Sequence, residues 1–87
     1  MVDFEWDPEK ERENLKNHVV AFREAQSTFS DPLSLAIPDP DHSLDEERFL
    51  LMGMSAAGRL IVACHTERGD RIRIINARGA IRHERTQ

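Results

Sequence analysis

Eighty-seven residues with 39 % hydrophobic and 32 % charged side chains describe a small soluble unit. Residues 1–87 are read as one domain, since a chain this short buries only a little over ~60 % of its unfolded surface. The longest apolar runs, Phe49–Met52 and Leu60–Cys64, fall far short of the ~18 residues of a membrane span, so no membrane partner is expected. The acidic N-terminus does not resemble a secretory signal and Cys64 is the single cysteine, which together point to a cytoplasmic protein without an internal disulfide.

The net charge of −4 conceals a division of the chain. Residues 1–57 carry five Lys and Arg against thirteen Asp and Glu, whereas residues 58–87 carry seven Arg against three acids. Every cation of the second segment is arginine, the side chain whose planar fork best matches phosphate.

Asp7 followed by Pro8 is a helix start, an acidic N-cap before a proline at the first helical position. The spacing predicts a polar surface helix over 8–18, with Leu15 almost its only apolar side chain. Ala21, Phe22, Ala25 and Phe29 recur at helical spacing and predict a second, amphipathic helix that faces a sheet. Asp31-Pro32 ends it. Four strand-like pieces follow. They are the alternating Leu33, Leu35 and Ile37, then Arg48 to Ser55, Arg59 to Thr66, and Arg71 to Ile75, with Gly69 supplying turn geometry before the last. Residues 77–85 contain Gly79 but no proline and are read as a short terminal helix. The expected architecture is therefore α+β, with two N-terminal helices packed on a four-stranded antiparallel sheet and a short C-terminal helix.

Alternation along the last strand puts Ile72 and Ile74 on one face and Arg71, Arg73 and Ile75 on the other. Those arginines suit either a solvated strand face or an anion site. Arg78, Arg82 and Arg85 would form one stripe of a terminal helix, where three like charges repel unless an anion binds. His18 closes the first helix, where an imidazole can cap carbonyls or serve as acid or base. His18, His42, His65 and His83 lack metal-ligand spacing, and neither a nucleophile elbow nor a glycine-rich phosphate loop is present, so no metal and no cofactor is expected.

The ordered set Phe4-Glu5-Trp6-Asp7, Lys10, Asn14, His18 and Phe22-x-Glu24-Ala25-x-x-x-Phe29-x-Asp31-Pro32 resembles the BrnT family of bacterial toxins. The second half is similar to the same family through Glu47-Arg48-Phe49, Gly53, His65-Thr66-Glu67, Arg71-x-Arg73-x-Ile75-x-Ala77-Arg78-x-Ala80 and Glu84-Arg85. This resemblance implies a RelE-like fold and a metal-independent endoribonuclease that directs a ribose 2′-OH against the adjacent phosphate. It also implies a BrnA-like ribbon-helix-helix antitoxin as partner, RNA as substrate, and promoter DNA reached only through the antitoxin. The site residues expected on this basis are His18, Arg71, Arg73, Arg78 and Arg82, with imidazole moving the proton and arginines bearing the phosphorane charge. The rival expectation is a catalytically weak protein that acts mainly as antitoxin partner and co-repressor. Two departures stand beside His18: Asn17 replaces a lysine, and Val19 replaces a glycine that would allow positive φ. The junction after His18 must therefore find another geometry or strain Val19.

Overall fold

A computed structural model describes residues 2–39 and 46–81 of the chain. Its elements in order are β1 (Asp3–Glu5), α1 (Pro8–His18), α2 (Phe22–Ser27) with a 3₁₀ turn at Thr28–Ser30, β2 (Leu35–Pro38), β3 (Arg48–Met54), β4 (Leu60–Arg68) and β5 (Arg71–Gly79). The five strands form one mixed sheet in the order β1-β5-β4-β3-β2. The pair β1–β5 is parallel, and the other three pairs are antiparallel.

This corrects the four-stranded antiparallel sheet expected from the sequence. A fifth strand, β1, is recruited from the N-terminus and pairs Phe4 with Ile72. Residues 77–79 also prove to be strand rather than the start of a C-terminal helix: Ala77, Arg78 and Gly79 stay in register with Ala63, Val62 and Ile61. The Ala80 N–H continues the ladder to the Leu60 carbonyl at 2.9 Å. Cross-strand hydrogen bonds and the complete burial of Ala77 outweigh a weak helical preference. Ala80 and Ile81 are not helical either, and residues 82–85 of the expected helix, including Arg82 and Arg85, lie outside the described residues.

The first helix starts as its sequence directs, with Asp7 Oδ1 accepting from the Glu9 N–H at 2.9 Å. The second helix has no side-chain cap of its own at Ala21. Glu11 of α1 supplies one instead, its Oε2 accepting from the Phe22 N–H at 3.0 Å. Val20, Phe22 and Ala25 then meet Ile61, Ala63, Ile74 and Ala77 in the core, with Phe4, Trp6 and Phe29 packed around them. Gly53 lies beneath the 3₁₀ turn, where a Cβ would stand only 3.0 Å from the Thr28 carbonyl oxygen, so backbone approach demands glycine there.

Asn14 fixes α1 to the sheet. Its Nδ2 donates to the carbonyls of Val20 and Ala77, each at 2.8 Å, and its Oδ1 accepts from the Ala77 N–H at 3.0 Å. The side-chain amide thus takes the place of a strand beyond the end of β1, pairing both backbone groups of Ala77 on the outer edge of β5. Ile75 has no partner residue across β4, because Cys64 faces Asn76 and His65 faces Ile74. This bulge turns Ile74 and Ala77 toward the helices in spite of their odd separation.

His65 lies on the core face between two rings, Phe29 at 4.9 Å edge-on and Phe49 stacked at 5.6 Å. Burial pushes its pKa below the ordinary histidine value, opposed in part by a hydrogen bond involving Ala63. The folded protein therefore holds fewer protons here than the unfolded chain. Stability from the neutral ring is complete above about pH 6.5, the unfolded value, and is lost as pH falls toward the lowered folded value. Urea unfolding between pH 7.5 and 5 should show falling stability, with a clearly shallower slope in His65→Gln. The carboxylates with lowered pKa, Glu5, Glu24 and Asp31, act in a more acidic window.

Candidate active site

Positions 10, 13, 14, 17 and 18 follow the i, i+3, i+4, i+7, i+8 spacing of a single helix stripe. In α1 they are Lys10, Glu13, Asn14, Asn17 and His18, and the stripe faces Ile75 and Asn76 of β5 and Arg48 of β3 across a cleft of about 310 Å³. The helix buries no apolar stripe of its own, and Asn14 is its buried residue. A polar wall is thereby held against the open face of the sheet by one hydrogen-bonded amide. The bulged Ile75 forms part of the cleft surface, a common use of bulges beside functional sites.

Arg48 pairs with Thr66, one register position from the His65 pair, so its side chain leaves the sheet on the face opposite His65. That face also holds Cys64, whose Sγ is 4.0 Å from Asp39 Oδ2. Burial, and then the Asp39 carboxylate, push the Cys64 thiol up, while Arg48 draws it down. The thiol is therefore kept protonated beside the cleft. The Asp39 N–H in turn donates to the Arg48 carbonyl at 2.8 Å, extending the β2–β3 ladder under this cluster.

The cleft combines two cations, Lys10 and Arg48, with a carboxylate, Glu13, and an imidazole, His18. Such a set can bind a phosphodiester and move protons around it. Of the site residues expected from sequence, His18 lines the cleft. Arg71 and Arg73 do not, and both reach Glu5 of β1, with Nη1 atoms at 3.5 and 2.7 Å from its carboxylate oxygens. The Arg73 hydrogen bond is the main cause holding the Glu5 carboxyl below the usual carboxylate range, with Arg71 adding to it. Arg78 shares the sheet face of Asn76, and its Nη1 donates to the Gly79 carbonyl at 3.4 Å. Five strand positions separate Arg73 from Arg78, roughly 16 Å of extended chain. Arg82 lies outside the described residues.

Lys10, Glu13, Asn17, Arg48 and Asn76 line the cleft although sequence reasoning did not assign them to a site. The sequence of α1 carries no signal for this stripe, because every position from Glu9 to His18 except Leu15 is polar and helical spacing alone singles out no side. Arg48 had no local signal, because only the sheet order brings the head of β3 toward α1. Among the described residues no three His, Cys, Asp or Glu side chains are grouped so as to hold a metal ion.

Residues 6–84 match a family model described as the ribonuclease toxin BrnT of type II toxin-antitoxin systems. The chain is also similar to the crystal structure of the Brucella abortus ribonuclease toxin BrnT, with a TM-score of 0.69 and 20 % sequence identity over 94 % of this chain and 100 % of that one. At such identity the likeness speaks for the fold. No curated protein sequence matches the chain.

Proposed function

The chain belongs to the BrnT family of ribonuclease toxins of type II toxin–antitoxin systems, and from that premise we propose that it cleaves RNA, without a metal, in the cleft between α1 and the sheet. The observation that carries this reading is the meeting of His18 and Glu13 with Lys10 and Arg48 in one cleft. In-line attack of a ribose 2′-OH needs a group to take its proton, a group to protonate the departing 5′-oxygen, and cations around the pentacoordinate phosphorus. Imidazole exchanges protons near neutrality and suits either proton role for His18. Glu13 is the second proton-transfer group, while Lys10 and Arg48 bear the growing charge on the non-bridging oxygens. Arg71, Arg73 and Arg78 are assigned to flanking phosphates, the first two by exchanging the Glu5 carboxylate for the substrate anion. The partner we assign is a BrnA-like ribbon-helix-helix antitoxin that covers the cleft.

Purified protein incubated with RNA in excess EDTA tests the chemistry directly. Products ending in a 2′,3′-cyclic phosphate and a 5′-hydroxyl are expected. Products carrying a 5′-phosphate, or cleavage abolished by EDTA, would overturn the reading.

A further inference from the structure

Val19, which immediately follows His18, has a φ of 57°, and it is the non-glycine residue in the left-handed region among those described. A β-branched side chain crowds the backbone in that conformation, and such a residue persists there only where its surroundings impose it. Two hydrogen bonds do so. The Val19 N–H donates to the Leu15 carbonyl at 3.0 Å, closing α1. The Val19 carbonyl accepts from Arg59 Nη2 at 3.1 Å, from the residue that immediately precedes β4.

Arg59 is itself held on several sides. Its Nε donates to Glu24 Oε2 at 2.8 Å, and its Nη2 also donates to Glu24 Oε1. The Ser55 hydroxyl donates to Glu24 Oε2 at 2.7 Å and accepts from the Arg59 backbone N–H at 3.2 Å. The Glu24 carboxyl is kept below the usual range chiefly by its bond to Arg59, which is raised in return. An ion pair between α2 and the β3–β4 turn would need only the Glu24 contacts. The additional donor goes to the strained peptide that leaves His18.

We propose that Arg59, oriented by Glu24 and Ser55, is a positioning residue that fixes the left-handed junction at Val19 and through it the aim of His18 into the cleft. The proposal rests on the reading of that cleft as the RNA site. Lysine cannot replace Arg59 in this work, because a single ammonium cannot grip both carboxylate oxygens and the carbonyl in one plane. Glycine at position 19 would take the same conformation without strain and so would not need the grip.

The test compares wild type, R59K, V19G and the double variant by kcat, KM, thermal melting and the His18 imidazole C–H resonances in two-dimensional NMR. R59K should lower kcat about tenfold with KM within about twofold, since small displacements of a reacting group act on turnover. In the V19G background the same substitution should cost less than about twofold, because the glycine holds the junction unaided. The imidazole resonances should move in R59K and return in the double variant. Equal losses of kcat in both backgrounds, or a lowered melting temperature with unmoved imidazole resonances, would overturn the proposal. If His18→Ala cleaves RNA like the wild type, the RNA reading of the cleft fails. The resonances then decide the clamp by themselves, supporting it if they move in R59K and return in the double variant, and overturning it if they stay.

Discussion

His18→Ala is expected to lower the turnover of RNA cleavage by about 10²–10⁴-fold, the usual contribution of a positioned proton-transfer group. The residue is exposed at the last turn of α1, so its truncation should alter stability by no more than about 0.5 kcal/mol, or roughly 2–4 °C in melting temperature for a domain of this size. Activity and stability are thus separable at this position. Glu13→Gln should likewise lower turnover by removing the second proton-transfer group. Lys10→Ala and Arg48→Ala should reduce kcat through the loss of charge stabilisation. Wild-type turnover by His18→Ala would remove the imidazole from the chemistry and with it the reading of this cleft as the site of RNA cleavage.

Where local signals were strong, the sequence was readable. Asp7-Pro8 started α1 at Pro8, and Gly69, at φ 64°, sits in the turn between β4 and β5. The absence of glycine after His18 posed a choice between a changed junction and a strained one, and the structure took the strain at Val19. What was not legible depends on distant partners. Val2-Asp3-Phe4-Glu5-Trp6-Asp7 alternates apolar and polar residues as a strand does, but its partner is not local: Phe4 and Glu5 pair with Ile72 and Arg73 some seventy positions away. Arg78, Arg82 and Arg85 have helical spacing, yet the ladder to Leu60 and Ile61 carries the chain straight through Ala77 and past Gly79. The arginine cluster was also misleading for the cleft. Its charges are visible in the sequence, but Glu5 engages two of them, while the cleft draws its cations from Lys10 and Arg48 in the acidic half.

The largest loss of stability is expected from Asn14→Asp, a change of one atom. The asparagine amide gives two hydrogens to the carbonyls of Val20 and Ala77 and receives one from the Ala77 N–H. A carboxylate keeps the second function and loses the first, so it points an acceptor at two carbonyl oxygens. Each buried carbonyl left without a donor costs about 1–3 kcal/mol, and an unpaired charge at a residue only 5 % exposed adds several more. The sum, about 4–8 kcal/mol, matches the ~5–10 kcal/mol that holds so small a domain together. Protonation restores one donor, so the variant should regain stability as pH falls toward 5, in the direction opposite to that expected from His65. Asn14→Ala removes the amide without adding charge and should cost less. Far-ultraviolet circular dichroism across that pH range would show Asn14→Asp largely unfolded at pH 7.5 and partly refolded at pH 5. A variant as stable as the wild type at pH 7.5 would mean that α1 is fixed to β5 by something other than this amide.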